Sequence, residues 1–505
     1  MDYSSIMQAF SAVLTPSTFM LLAIGVFTGI LAGCIPGLTY TMAIMLAFPF
    51  TFGMDPISGI TLMVGIYIGG LSGGLIASIL LGIPGTPSSV TTTFDGFPMT
   101  RNGEPGRALG IGILSSSVGT IVGAIALFAL GPAIAGIALK FGPWEIFSLV
   151  LFALTLIAGL SGQALSKGLV AGCIGLLIAT IGYDPTGRLR FDFGMPDLSG
   201  GISILPVLIG LFAISQLFKN IEEIRQQTLT LNKEQVRIPL KQVFKDMYVE
   251  RWNTLRSSGV GVFIGALPAA GAETATFISY DQAKKFAKDK EKYGKGHPGG
   301  VVASETSNSA LAGGAFIPSI TLGIPGDVAQ AVMFGVLILH GITPGPGLFQ
   351  NQPVLVNSIF VSLMIGSIIM LVLQTLLLPI LIRIALIPNT ILIPSILVIS
   401  CVGTYALNNR MFDVWCILVF GLLGYALDKM KVPLGPVILG FILGPKAEDE
   451  LIEALQMNPS FAEFFTRPIS LLFLILAAGS IAYALYQQSR AKKKDRSGPE
   501  FNQFI

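Results

Sequence analysis

The strongest constraint on how this chain can fold is a pair of apolar, Gly/Pro-rich passages that occurs twice. The first copy reads Gly29-Ile-Leu-Ala-Gly33-Cys-Ile-Pro36 and leads on to Leu81-Gly82-Ile83-Pro84-Gly85. The second reads Gly261-Val-Phe-Ile-Gly265-Ala-Leu-Pro268 and leads on to Leu322-Gly323-Ile324-Pro325-Gly326. The first elements are offset by 232 residues and the second by 241, with a Lys-rich insert, Lys284 to His297, supplying most of the difference. Matching order in two copies whose spacing differs mainly by one insert marks an internal duplication. Glycine and proline break helices and expose backbone N–H and C=O groups. Two such breaks at corresponding places in two halves of a membrane protein mark a carrier's solute site.

Composition sets the solvent. With 52% hydrophobic and 12% charged residues and a mean hydropathy of +0.75, most of the chain must lie in lipid. The expected fold is an all-α polytopic membrane protein with roughly 10 to 14 membrane elements. A net charge of +3 gives no reason to expect nucleic acid. Cys34, Cys173, Cys401 and Cys416 lie in apolar segments without metal-ligand spacing, and read as buried small residues with no disulfide. The N-terminus has no basic n-region, so no removable signal peptide is expected. No Gly-x4-Gly-Lys-Ser/Thr motif occurs, so ATP hydrolysis by this chain is not expected.

Four regions follow from hydropathy and charge: a first transmembrane repeat (1–218), a connector (219–256), a second repeat with additional helices (257–487) and a basic tail (488–505). Lys219 to Arg256, Lys284 to Lys295 and Lys492 to Arg496 are rich in basic residues, whereas no Lys or Arg precedes Arg101. Cytoplasmic loops accumulate such residues, which places all three stretches, connector and C-terminus included, in the cytoplasm. Ser257 to Tyr280 then begins and ends on one side, as a re-entrant hairpin. Its counterpart Ile24 to Phe50 has no basic flank and enters from the other side, which makes the repeat inverted.

The breaks are where chemistry is expected. Around Pro36, Gly37 and Thr39, and around Pro268, Ala270 and Gly271, a new helix begins with unpaired N–H groups that suit a carboxylate. Gly85, Thr86, Ser88 and Ser89 repeat the device with hydroxyls, and Gly326 with Asp327 repeats it with a carboxylate. These are the expected substrate-binding positions. Glu273, Glu305, Asp327 and His340 are ionisable groups in weakly polar segments, and such groups mark ion pathways. Ser304 to Ser309 offers oxygen ligands for Na+, or else forms a helix N-cap at the interface. Glu273, Glu305, Asn308 and Asp327 are the expected ion-coupling residues. No metal site is expected beyond Na+ at Glu305, Asn308 and Asp327. His340 pairs with a backbone carbonyl or relays a proton. Gly85 and Gly326, after their prolines, are expected at positive φ.

These residues resemble a known family. Gly-x3-Gly-x2-Pro-Gly, Gly-Ile-Pro-Gly-Thr-Pro with Asp95-Gly96-Phe97-Pro98, Gly-Ile-Pro-Gly-Asp and His340-Gly-Ile-Thr-Pro-Gly-Pro closely resemble the large membrane subunit, TctA, of tripartite tricarboxylate transporters, over roughly 15–485. The chain departs from the pattern at Ser304 to Ser309, where the family often has Pro-Glu-Ala followed by paired asparagines, and at Pro268-Ala269 in place of Pro-Gly. The resemblance implies a permease in the cell inner membrane that takes up carboxylates, tri- or dicarboxylates such as citrate, using a Na+ or H+ gradient and no cofactor. It implies a small TctB-like membrane subunit and an extracytoplasmic TctC-like solute-binding protein as partners. A homo-oligomer is compatible with the sequence.

Two rival classes remain. Broken helices also line pores, so a channel-like anion pore is the alternative. Gly70-Leu-Ser72-Gly73 and Gly159-Leu-Ser161-Gly162 resemble intramembrane serine protease motifs, but with two histidines in the chain a Ser–His pair has few ways to form. Gly65, Gly69 and Gly73, with Gly110, Gly119 and Gly123, would let helices slide closely, as an elevator-type carrier needs. The topology is testable in a cysteine-free background. Single cysteines at Thr228 and at Lys290 should be labelled by an impermeant maleimide from the same side, and labelling from opposite sides contradicts the re-entrant hairpin.

Overall fold

The computed structural model describes residues 3–160, 165–222, 237–268, 270–384 and 389–497. Ala269, Ser161, Gly162, Thr228 and much of the connector and tail lie outside them. The chain forms two compact units that interleave along the sequence, 1–140 with 203–425 and 141–202 with 426–505.

The larger unit opens with α1 (Tyr3–Val13), α2 (Pro16–Cys34), α3 (Tyr40–Ala47), α4 (Pro56–Leu81), α5 (Val90–Arg101) and α6 (Pro105–Ala138). It resumes with α10 (Ile204–Leu208), a π-helical segment Ile209–Ile214, α11 (Ser215–Glu222), α12 (Leu240–Val249), α13 (Arg251–Gly265) and α14 (Gly271–Phe286). It ends with α15 (Pro298–Leu322), α16 (Val328–Leu339), α17 (Leu348–Asn351), α18 (Pro353–Ile384), α19 (Asn389–Asn408) and α20 (Met411–Lys429), the unit boundary falling inside α20. Among the described residues α2, α4, α6, α18 and α20 are long and apolar enough to cross a membrane, and seven shorter helices are apolar. The protein is all-α and polytopic.

Glycine makes the central helices fit. Lipid tails give apolar helices little reason to associate, so close backbone approach and dispersion hold them together. On α2, Gly25, Gly29 and Gly33 sit against the carbonyls of Leu62, Ile66 and Gly70 of α4. In return Gly65, Gly69 and Gly73 of α4 sit against Leu22, Val26 and Ile30 of α2, and a Cβ at Gly65 would stand 2.7 Å from the Leu22 carbonyl oxygen. In the second half Gly261 and Gly265 of α13 meet the carbonyls of Ser307 and Leu311 of α15, and Gly314 meets that of Val262. Ser307 and Leu311 stand 241 residues after Ile66 and Gly70, and Val262 stands 232 after Ile30. The offsets in sequence are therefore the offsets in contact. Gly119 and Gly123 of α6 pack the same way on the Thr306 and Ala310 carbonyls of α15.

The smaller unit holds α7 (Pro143–Leu160), α8 (Leu165–Ala179), an antiparallel pair β1 (Gly182–Tyr183) and β2 (Leu189–Arg190), α9 (Pro196–Ser199), α21 (Leu434–Met457), α22 (Glu463–Thr466) and α23 (Pro468–Ser497). Arg467 lies over the Trp144 ring at 3.9 Å. Arg190 pairs with Glu448, its Nη1 2.6 Å from Oε1.

Three expectations need correction. Positive φ falls not on Gly85 and Gly326 but on Gly82 (+68°) and Gly323 (+68°), the C-caps of α4 and α15. Gly85 and Gly326 are needed for space: a Cβ at Gly326 would lie 2.6 Å from the Ala315 carbonyl oxygen, and one at Gly85 would collide with the backbone of Gly33 and Gly74. Of the four thiols only Cys34 and Cys416 are buried, because Cys173 sits on an outward face of α8 and Cys401 is half-buried on α19. The reading of Ser304 to Ser309 as an N-cap also fails: α15 starts at Pro298 behind His297, whose Nδ1 accepts from the Gly299 N–H at 3.0 Å.

Two neighbouring glycines on α13 separate packing from helix propensity. Gly261 is clamped against α15, while a Cβ at Gly259 meets nothing within 4 Å. Gly261→Ala should cost about 1–3 kcal/mol from overpacking, and Gly259→Ala should be neutral or gain up to about 1 kcal/mol. Thermal unfolding of the two detergent-solubilised variants measures the difference.

Candidate functional site

Each half breaks twice. In the first, α2 ends at Cys34, Gly37 turns at φ +87°, and Thr39 caps α3 by accepting from the Met42 N–H at 3.2 Å. Then α4 ends at Leu81 with Gly82 as its C-cap, and Thr86 and Ser89 form a capping box ahead of α5. In the second half α13 ends at Gly265 and Gly271 turns at φ +76° to start α14, which has no side-chain cap. After α15, Asp327 caps α16 by accepting from the Gln330 N–H at 2.8 Å.

The four breaks pair crosswise. The second arm of the first hairpin, α3, packs on α16, which follows the second half's Gly-Ile-Pro-Gly turn. The second arm of the other hairpin, α14, packs on the 3₁₀ turn Pro87–Ser89 and on α5, which follow the first half's turn. Helices α4 and α15 lie between. Each turn is tied to its own long helix by an equivalent serine. Ser78 donates to Ser89 Oγ at 2.8 Å, and Ser319 Oγ accepts from the Gly326 N–H at 3.1 Å. Ser319 stands 241 residues after Ser78.

Two buried carboxylates stand in this core. Asp327 accepts from Tyr67 Oη at 2.5 Å, and the Tyr67 ring lies 5.7 Å from Tyr40 of the first hairpin. Glu305 accepts from Thr92 Oγ1 at 2.5 Å and from Ser116 Oγ at 3.0 Å. Among the described residues neither pairs with Lys or Arg. A buried anion without a cationic partner is costly, and a proton or a small cation relieves the cost. Asn308, one turn beyond Glu305, donates to the Leu71 carbonyl at 2.8 Å. Its Oδ1 has no partner, and the hydroxyls of Thr306 and Ser309 have none either. Glu305 faces α5 and α6 while Asp327 faces α4, so the structure gives them separate partners. Thr86 and Ser88 hydroxyls lie 3.2 Å apart and buried. Pro36, Gly37, Ala270 and Gly271 line the hairpin turns, and Glu273 is an exposed residue in the first turn of α14.

His340 sits between two carbonyl oxygens, with Nδ1 2.8 Å from Val336 and Nε2 2.9 Å from Met54. Ser72 of the protease-like motif donates to Gln374 Oε1 at 3.1 Å and not to a histidine.

Asp95 is the residue that site reasoning missed. It is fully buried. Its Oδ1 accepts from the N–H groups of Gly294 and Gly296, both at 2.9 Å, and of His297 at 2.7 Å, while Oδ2 accepts from Tyr280 Oη at 2.8 Å. The Lys-rich insert is thereby tied to the first half. The available signal was an Asp-Gly step facing two glycines, Gly294 and Gly296, that turn with positive φ.

The profile of the tripartite tricarboxylate transporter TctA family matches residues 19–439. The chain belongs to the TctA family. It is thus a component of a tripartite tricarboxylate transporter and a multi-pass membrane protein. It is 34% identical over 492 residues to a protein of Agrobacterium vitis named "Uncharacterized 52.8 kDa protein in TAR-I ttuC' 3'region", covering 97% of each chain. A second Agrobacterium vitis protein, "Uncharacterized protein in TAR-II ttuC' 3'region", is 37% identical over 234 residues, which is 46% of this chain and 97% of that one. No solved structure matches.

Removing the Asp95 carboxylate leaves three N–H groups without an acceptor. Asp95→Ala should release the insert, so that trypsin cleaves after Lys288, Lys290 or Lys292 about tenfold faster than in the wild type. Unchanged cleavage rates contradict the tether.

Proposed function

We propose that this TctA-family chain is the permease of a binding-protein-dependent carrier that takes carboxylates, tri- or dicarboxylates such as citrate, through the cell inner membrane on a Na+ or H+ gradient. A TctC-like solute-binding protein delivers the substrate and a TctB-like subunit accompanies the permease. The crossed packing of the four breaks supports this reading, because it gathers both kinds of group that coupled anion uptake needs.

The anion and the coupling ion take different places. Thr39 and Asp327 already cap α3 and α16, whereas α14 has no side-chain cap. It packs on the turn that carries Thr86, Ser88 and Ser89, and the free N–H groups of a helix start together with such hydroxyls suit a carboxylate. Glu273 in the same turn must be neutral or turned aside when the anion enters. The coupling ion belongs at the buried carboxylates. A proton or Na+ on Asp327 removes a charge that would repel the substrate, so ion and substrate bind cooperatively. The two halves form an inverted repeat, and the glycine faces allow the hairpins to move against the long helices.

Proteoliposomes with the small subunit, a panel of carboxylates and imposed Na+ or pH gradients test this. Uptake should saturate, require the binding protein at low substrate and follow one gradient. Asp327→Asn should weaken the gradient dependence about tenfold, roughly 1.4 kcal/mol of coupling, while substrate counterflow partly survives. Non-saturating flux would favour the pore, and an Asn variant with wild-type gradient dependence would exclude Asp327 as the coupling group.

A further inference from the structure

Helix α12 packs on the start of α6 through one partly buried ion pair. Arg107 holds Asp246 with both ends of its guanidinium, Nε to Oδ2 at 2.7 Å and Nη2 to Oδ1 at 2.9 Å. Gly110, one turn further along α6, lets Val243 and Ile238 come close. Since α6 is a membrane-spanning helix and Arg107 lies in its first turn, α12 stands where the span meets the aqueous phase.

Beside it is a cavity of about 300 Å³ between α6, α12 and α18, lined by Ile113, Leu114, Val243, Phe244, Val372 and Leu376 among others. Its wall is almost wholly apolar. Leu240 and Phe244 of its wall are more than half exposed, and the exposed aromatic side chains Tyr248 of α12 and Trp252 of α13 continue the stripe away from it at four-residue spacing. Lys241 and Lys245 run next to that stripe, exposed, and among the described residues neither has an ion-pair partner. Asp246, the carboxylate of this helix, is held by Arg107, which also pairs with Glu104 Oε2 at 2.7 Å. An apolar slot with an aromatic rim and a pair of uncompensated cations matches a molecule with a hydrocarbon chain and an anionic head.

We propose that this groove binds an anionic phospholipid, with one acyl chain between α6 and α18 and the phosphate at Lys241 and Lys245. Lipid is the occupant that the position favours, because the cavity walls are the flanks of two spanning helices and the charge on the rim opposes that of an anionic head. The site is independent of the transport reading, since none of these residues belongs to the crossed core.

Native mass spectrometry of the full chain tests it, with phosphatidylglycerol and phosphatidylethanolamine of identical acyl chains titrated into delipidated protein. The wild type should bind phosphatidylglycerol about tenfold more tightly than phosphatidylethanolamine. The double variant Lys241→Gln/Lys245→Gln changes only exposed side chains and should bring the two lipids within about twofold. Val372→Trp fills the slot and should weaken both. Equal binding of the two lipids by the wild type overturns the proposal. So does a double variant that keeps the wild-type preference, or a groove shielded by the small subunit when the two are purified together.

Discussion

Backbone contact through glycine is the constraint on which the rest depends. Inside lipid a broken helix is tolerated only where protein covers its free polar groups. Here that cover comes from helices brought so close that Gly29, Gly33, Gly261 and Gly265 touch carbonyls of α4 and α15 directly. A methyl group at these places would push the hairpins away, and the turns would lose the serines and backbone that hold them. The glycines therefore come before the site. They make the breaks affordable and fix where the four turns meet.

The two halves share a scaffold and differ in the groups they carry. Position 86 is threonine and its counterpart 327 is aspartate; Tyr67 has Asn308 as its counterpart. Tyr67 of the first half meets Asp327 of the second, so a residue of one half complements a differently placed residue of the other across the core. The Lys-rich insert breaks the symmetry a second time and is anchored by Asp95 from the other half. The recurring Gly/Pro motifs supply the paired breaks, and of positions 86 and 327 only the second carries a carboxylate.

Much of this was legible in the residues. Gly and Pro act locally, so the breaks near Pro36, Gly82, Pro268 and Gly323 could be read directly, and long apolar runs gave the principal helices. The short elements were harder. Helices α1, α5 and α12 and the strand pair β1–β2 carry too little hydrophobic signal to stand out. Positive φ was misplaced because sequence does not tell a glycine needed for its backbone angle, Gly82, from one needed for space, Gly85. Partners of the buried carboxylates were illegible for a different reason. Thr92 and Glu305 are 213 residues apart, and Tyr67 and Asp327 are 260 apart, so only the packing of the halves brings them together.

The crossed meeting of the halves is the central claim, and intramolecular cross-linking tests it most directly. Phe48 packs on Gly335 of α16, and Phe94 of α5 lies with its ring 6.0 Å from Phe277 of α14. In a cysteine-free background with a protease site placed in the connector, the pairs Phe48→Cys/Gly335→Cys and Phe94→Cys/Phe277→Cys should each join the two halves with a short bifunctional thiol reagent. The swapped pair Phe48→Cys/Phe277→Cys should not. If the swapped pair links as readily as the other two, or if neither crossed pair links in protein that is otherwise folded, the four breaks do not pair as described.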